Sequence, residues 1–148
     1  MSVGEICDRR IPTAPADTTA LEAARSMHGF RDHVLVVTDE RDGRRVAVGM
    51  VTEYDLLGVM AQGADPALVP VREIMAPFPA FVSEADDVLD TLCWMRRNHL
   101  RDVIVHGRGG AILGTVSLDQ LADTVADELV EVAEAAPSAL PAACNPVH

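Results

Sequence analysis

The fold of this chain is decided by the stretch Gly49-Met50-Val51-Thr52-Glu53-Tyr54-Asp55-Leu56-Leu57. An apolar strand at 46–51 leads into it, and an apolar helix at about 52–62 leaves it. Thr52 stands at a helix N-cap position with Asp55 three residues later, the spacing of a reciprocal capping box. A helix start also carries free N–H groups and the positive end of the helix dipole, which together can hold an anion such as phosphate. Two interpretations are open: a cap that only begins a helix, or a seat for a nucleotide.

The chain contains this plan twice. Val3-Gly4-Glu5-Ile6-Cys7 recurs as Val71-Arg72-Glu73-Ile74-Met75, an offset of 71 − 3 = 68 residues. The apolar helix positions recur at the same offset, with Ala20, Leu21, Ala24 and Met27 matching Val88, Leu89, Leu92 and Met95. The opening stretch returns as Gly114-Thr115-Val116-Ser117-Leu118-Asp119-Gln120-Leu121, where 114 − 49 = 65, so the second hairpin is three residues shorter. We therefore predict a tandem duplication.

The composition limits the classes of function. Twelve basic against 23 acidic residues give a net charge of −11, which disfavours nucleic acid and anionic membranes as partners. No apolar run approaches the roughly 20 residues of a membrane helix, and charged residues interrupt the N-terminus where a signal peptide would be apolar. Cys7 and Cys93 occupy apolar-patterned positions and form no Cys-x-x-Cys pair, so we expect buried thiols. We expect a protein of the cytoplasm.

Each copy is predicted to fold as strand, helix, strand, strand and helix, an α/β arrangement. The second strand lies at 33–37, and a charged turn with Asp42-Gly43 follows it at 38–45. Neither copy is large enough to form a stable hydrophobic core alone, so the two should pack together. The predicted boundaries are 1–63 for the first domain, 64–70 for a connector, 71–136 for the second domain and 137–148 for an Ala/Pro-rich tail.

The two copies, each ending in Gly-x-Val-[Thr/Ser]-x-x-[Asp/Gln] after a strand, resemble the cystathionine β-synthase (CBS) domain pair. The resemblance covers residues 3 to about 130. It implies a pseudo-twofold pair of CBS domains that binds adenine nucleotides or related adenosyl ligands in clefts between the copies. It also implies that two such pairs associate, because CBS pairs commonly dimerise.

The resemblance assigns residues to the first nucleotide site. Asp55 matches the aspartate that binds ribose, and a carboxylate suits that task because it accepts from both hydroxyls of a diol. Thr52 matches the hydroxyl residue that meets phosphate, and Thr13 and Ala14 match the segment whose backbone meets the adenine edge. Basic residues before the middle strand of the opposite copy often reach the phosphates, and these are His99 and Arg101.

The second site is expected to be weaker. It comprises Ser117 and Gln120, with Arg31 and His33 as the repeat equivalents of the two cations above. Gln120 completes a capping box, yet a neutral amide anchors ribose less well than a carboxylate. The family's usual proline in the middle strand is also missing in both copies. The alternative for the four cations is an exposed rim that pairs with nearby acids, such as Asp32 or Asp102.

The residues do not favour an enzyme. The histidines show no metal-ligand spacing, Ser117 has no glycine elbow around it, and no nucleophile is paired with a base. We predict a regulatory module without metal or cofactor, which binds AMP, ADP or ATP, forms a homodimer and signals to an unknown effector protein. The alternative is a purely structural dimerisation module whose clefts bind nothing.

Overall fold

A computed structural model describes residues 1–135 of the chain, so the predicted tail at 137–148 lies outside the described residues. The first copy contains α1 (Val3–Ile6), β1 (Thr13–Pro15), α2 (Ala20–Phe30), β2 (Val34–Arg41), β3 (Arg44–Thr52) and α3 (Glu53–Ala61). The second contains β4 (Ala76–Pro77), β5 (Phe81–Ser83), α4 (Val88–Arg97), β6 (Asp102–His106), β7 (Ile112–Ser117) and α5 (Leu118–Ala135). The predicted order of strand, helix, strand, strand and helix is confirmed in both copies.

The strands form two sheets, with the orders β1-β2-β3-β4 and β5-β6-β7. In each, a short edge strand runs parallel to the middle strand, which forms an antiparallel hairpin with the next. The first hairpin is longer than predicted, because strand pairing continues to Arg41 and Arg44 through the segment expected to be a charged turn. Asp42 and Gly43 both have positive φ, 52° and 74°, which suits a tight two-residue hairpin turn whose twist lets the ladder continue.

The leading segment of each copy packs on the other copy. Val3 lies in the core of the second copy with Val82, and its N–H donates to the Asp86 carbonyl at 2.8 Å. Val71 lies in the core of the first copy, and its N–H donates to the Thr18 carbonyl at 2.8 Å. Each core is therefore completed by a segment that belongs to the other sequence repeat. The boundaries predicted at 63, 70 and 136 remain a prediction.

This exchange explains the glycine that opens the repeated motif. At Gly114 a Cβ atom would overlap the Asp8 carbonyl, since Asp8 and Thr115 exchange backbone hydrogen bonds of 2.9 and 3.0 Å beside it. At Gly49 a Cβ atom would overlap the Met75 side chain, because β4 pairs with β3 there. A side chain at either position would stand where the exchanged segment passes.

A third cluster of buried residues joins the two sheets. Val34, Val36 and Met50 of the first sheet meet Ile104 of the second, with Ile112 partly buried beside them. The alternate residues of β2, such as Leu35 and Val37, face the helices of their own copy. Both faces of the first half of β2 are thus buried, which is why residues 34–37 are a continuous apolar run.

Two details of the predicted core were wrong. The buried helix positions are Ala20, Ala23 and Met27 in α2 and Val88, Thr91 and Met95 in α4, so the repeated apolar positions Leu21, Ala24 and Leu92 are only partly buried and Leu89 is exposed. Cys93 is exposed rather than buried, while Cys7 is half-buried and burial raises the pKa of its thiol.

Candidate functional site

The first helix start is a closed capping box. The Thr52 N–H donates to Asp55 Oδ2 at 2.8 Å, and the Thr52 hydroxyl donates to the same oxygen at 3.2 Å. The Asp55 N–H donates in return to Thr52 Oγ1 at 3.4 Å. Within residues 1–135, Asp55 Oδ1 makes no hydrogen bond of 3.5 Å or less. The carboxylate is therefore fixed through one oxygen and presents the other.

The second helix start has the same geometry with a neutral side chain. The Ser117 N–H donates to Gln120 Oε1 at 2.9 Å, and the Gln120 N–H donates to Ser117 Oγ at 3.1 Å. The amide oxygen is occupied by the cap, so the group left over is the NH₂, which donates hydrogen bonds. The two helix starts have the same backbone geometry, but the first leaves a hydrogen-bond acceptor free and the second leaves a donor free.

The two helix starts lie at the same end of the contact between the copies. Thr52 pairs with Val34 at the beginning of β2, and Ser117 pairs with Asp102 at the beginning of β6. His33, the neighbour of Val34, bridges the copies through a contact of 2.8 Å between its Nε2 and Asp102 Oδ1. Both capping boxes therefore flank one bridging pair.

His33 shows the pairing that was the alternative for the predicted cations. Besides Asp102, its Nδ1 lies 3.7 Å from Asp32 Oδ1. The Asp102 side chain is 11% exposed and that of His33 is 44% exposed, so the bridge lies at the solvent-exposed edge of the contact between the copies. His33 and Arg31 also line a hollow of about 510 Å³ whose wall includes Glu53 and Leu56 from the first turns of α3.

The other predicted site residues are placed differently. Thr13 and Ala14 line a separate hollow of about 340 Å³ together with Thr38 and Arg45, at the outer edge of the first sheet. Asp55 is not among the residues that line either hollow. The structure therefore brings Thr52 and Asp55 together, and Arg31 and His33 together, but Thr13 and Ala14 face a hollow of their own.

His99 and Arg101 are exposed at the beginning of β6. Neither has a carboxylate oxygen within 4.0 Å among residues 1–135. The Arg101 carbonyl accepts from the Leu118 N–H at 2.8 Å, which ties Arg101 to the helix start at Ser117. His99 and its repeat equivalent Arg31 both have positive φ, 56° and 55°, a conformation that non-glycine residues adopt rarely.

Sequence reasoning missed residues that border these hollows. Glu53 and Leu56 were treated only as helix residues, although the first turn of a helix beside a strand end is exposed to any neighbouring cleft. Arg45 was assigned to a turn, whereas the longer hairpin places it on β3 beside Thr13 and Ala14. The Asp42-Gly43 turn was the signal that could have extended the strands to Arg45.

The described part of the chain offers neither a metal centre nor a membrane span. No group of three or more His, Cys, Asp and Glu side chains within it could hold a metal ion. None of its helices combines the length and the apolar character needed to cross a membrane.

The CBS domain family model matches residues 3–62, which is nearly all of the first copy. An uncharacterized protein of Methanopyrus kandleri is 29% identical over 122 residues, covering 82% of this chain and 61% of that protein. An uncharacterized 17.7 kDa protein of Acidianus ambivalens is 30% identical over 125 residues, covering 84% of this chain and 73% of that protein. The chain thus spans less than two thirds of the first relative and more than two thirds of the second.

Solved structures share the fold over most of the chain. A CBS domain protein of Pyrobaculum aerophilum complexed with AMP is similar with a TM-score of 0.76 and 26% identity, covering 88% of this chain and 99% of that one. A CBS domain pair in complex with 5′-methylthioadenosine and S-adenosyl-L-methionine has a TM-score of 0.73 and 21% identity, covering 86% of this chain and 98% of that one. At that identity, the second likeness concerns the fold alone.

Proposed function

This chain belongs to the CBS domain family, and from that premise we propose that it is a regulatory CBS pair that binds an adenosine-containing ligand. The candidate ligands are AMP, ADP and ATP. The observation that carries the proposal is the Asp55 carboxylate, held by Thr52 through Oδ2 while Oδ1 has no hydrogen-bond partner within residues 1–135. The similarity to the AMP-bound protein of Pyrobaculum aerophilum supports the class of ligand.

The chemistry of a nucleoside fits this group. A ribose presents two adjacent hydroxyls, and a carboxylate that is already oriented accepts a hydrogen bond without losing further side-chain freedom. The phosphate would lie toward Thr52, where the positive end of the α3 dipole favours an anion. The Glu53 N–H already donates to the His33 carbonyl at 3.1 Å and the Asp55 N–H to Thr52 Oγ1 at 3.4 Å, so the dipole rather than these two donors would attract it. Thr13 and Ala14 are proposed to meet the adenine through their backbone.

The exposed cations are proposed to reach the phosphates. His99 and Arg101 have no acidic partner in the described part of the chain, so a bound phosphate would be their first counter-ion. Arg31 and His33 would serve the weaker second site with Ser117. His33 would have to exchange its contact with Asp102 for one with phosphate, which makes it the least available of the four.

Signalling would proceed through the contact between copies or through a homodimer, and an effector protein would bind the shifted form. A face of α3 supports the homodimer: Tyr54, Leu57 and Met60, spaced three residues apart, are 81%, 58% and 71% exposed. Large apolar side chains grouped on one helix face favour a protein interface. We further propose a non-catalytic role and a location in the cytoplasm.

The second candidate function is a structural dimerisation module with empty clefts. It is favoured by the capping boxes themselves, since Gln120 makes the same cap as Asp55 and no ligand is needed to explain either side chain. The two candidates differ in one respect: only a binding site requires the negative charge of Asp55.

The test is titration with AMP, ADP and ATP, followed by calorimetry and thermal unfolding, on the parent and on Asp55→Asn. Asparagine keeps an oxygen for the Thr52 cap but loses the charge and the second acceptor. We expect at least one nucleotide to stabilise the parent, by about 2.7 kcal/mol at a concentration of 100 times Kd. We expect affinity for it to fall at least about tenfold in Asp55→Asn, because a hydrogen bond to a charged group is lost.

Glu131→Gln is the matched control, since it removes one negative charge from an exposed position of α5 that lines neither hollow beside the helix starts. Its affinity for the nucleotide should remain that of the parent. No response of the parent to any nucleotide would favour the structural module. Equal weakening in both variants would indicate that only net charge matters and that Asp55 has no special contact.

A further inference from the structure

The tips of the two hairpins enclose a strongly cationic hollow. It has a volume of about 760 Å³ and is lined by Arg44 and Arg45 of the first hairpin and by Arg108 of the second. Arg44 and Thr52 are the two ends of β3, so at roughly 3.3 Å per residue they are about 26 Å apart. The hollow is therefore remote from both helix starts.

The arginines are unpaired in a chain that is rich in acids. The chain has 23 acidic residues, yet none of the three guanidinium groups has a carboxylate oxygen of residues 1–135 within 4.0 Å. Glu40 lies directly across the ladder from Arg45 and still does not pair with it. By contrast Arg41, in the same hairpin, contacts Asp39 at 3.3 Å. Three like charges at one hollow repel one another, and an anion between them would relieve that repulsion.

The floor of the hollow is apolar and lies against the core. Val46 and Ile112 line it, and Ile112 packs against the buried cluster that joins the two sheets. Gly109 and Gly110 also line it, and no other atom lies within 4 Å of the place where either Cβ would be. The space between the arginines is thus open. Arg44 and Arg45 lie on β3, and Arg108 lies in the turn that joins β6 to β7.

We infer that this hollow binds a small anion bearing two or more phosphate groups, of the pyrophosphate class. Guanidinium groups match phosphate oxygens in pairs, so three of them suit a ligand with several phosphate oxygens. The volume lies in the range of small-molecule sites. Because Arg44 and Arg45 come from the first copy and Arg108 from the second, the ligand would link the two copies at the end opposite the helix starts.

The experiment is calorimetric titration of the full chain with inorganic pyrophosphate at low salt. The test variant is Arg44→Gln with Arg108→Gln, and Arg45 is kept because it also borders the hollow at Thr13 and Ala14. The control is Arg25→Gln with Arg72→Gln, two exposed arginines away from this hollow that remove the same charge. We expect the test variant to bind at least about tenfold more weakly and the control to resemble the parent.

Three outcomes would overturn the inference. Equal weakening in both variants would show a response to net charge alone. Unchanged binding in the test variant would place pyrophosphate elsewhere. No binding to the parent, with binding of an oligoglutamate peptide that the test variant loses, would assign the arginines to an acidic protein partner. AMP titration of the test variant should match the parent, so a failure here leaves the proposal for Asp55 standing.

Discussion

The two copies share a backbone and differ in the group that each helix start presents. Thr52 and Ser117 cap their helices in the same manner, and both hairpins shift register at equivalent places, Val37/Thr38 and Val105/His106. The first copy nevertheless offers a carboxylate where the second offers an amide. Both repeats thus keep the residues that the fold requires, whereas only the first places a negative charge at its helix start.

The largest expected effect comes from the glycines, where the two copies have different neighbours. Gly114→Ala would drive a methyl group into the Asp8 carbonyl, and backbone cannot rotate away, so we expect the free energy of unfolding to fall by about 3 kcal/mol. Gly49→Ala meets mainly the flexible Met75 side chain, and we expect a loss of about 1 kcal/mol. Urea unfolding of both variants measures the difference.

Gly29→Ala is the control for this pair, because nothing lies within 4 Å of the added methyl group in α2. It should leave stability unchanged or raise it slightly, since alanine favours a helix. Proteolysis should also detach residues before Asp8 more readily in Gly114→Ala than in the parent. Equal losses of unfolding free energy in the two glycine variants would mean that the segments next to Gly49 and Gly114 do not pack as they do in the structure.

An intermediate effect is expected from giving the second copy the first copy's acid. Gln120→Asp should keep the cap with Ser117 and present a free carboxylate oxygen, so that AMP binds with two equivalents per chain rather than one. At 100 times Kd the added site would contribute about 2.7 kcal/mol of ligand-dependent stability. Calorimetric stoichiometry is the measurement, and Gln120→Asn, which shortens the side chain without adding charge, is its control.

An unchanged stoichiometry in Gln120→Asp would show that the charge alone does not make a site. The remaining walls of the second cleft, with Arg31 and His33, would then be what prevents binding. The contrast between the copies would in that case lie in the cleft rather than in one residue.

The smallest effect concerns the bridge between the copies. A double-mutant cycle of His33→Ala and Asp102→Ala should give a coupling energy of about 0.5 kcal/mol, since His33 is partly exposed and such pairs contribute little. Thermal unfolding at fixed pH measures it. The pair His33→Ala and Asp32→Ala, joined only by a 3.7 Å contact, should couple less. A coupling energy of several kcal/mol would contradict this expectation and would mean that the bridge contributes substantially to the contact between the two copies.

Much of the fold followed from periodicity and repetition. The offset of 68 residues identified the matching elements, and the spacing of Thr52 and Asp55 predicted a capping box that the structure contains. These features are local, since a cap or a strand is specified by residues within a few positions. The hairpin turn at Asp42-Gly43 was predicted for the same reason, although its strands were made too short.

The remainder depends on contacts between distant segments. Nothing local in Val3 or Val71 indicates that each completes the core of the other copy. The hollow at Arg44 and Arg108 arises only because the copies bring two hairpin tips together. The arrangement of the site is limited in the same way: Thr52 and Asp55 are three residues apart, but the hollow at Thr13 and Ala14 is set by tertiary packing.

The crossing of the leading segments has a consequence for what a half-length chain could do. A fragment that contains one copy would carry a leading apolar segment that does not pack on its own core. Its core would also lack the leading segment that the other copy supplies in the full chain. Two such fragments could satisfy each other by mutual exchange, giving an isologous pair that reproduces the present architecture with true twofold symmetry. The covalent link between the halves then serves mainly to let them diverge, so that one can keep an acid where the other keeps an amide.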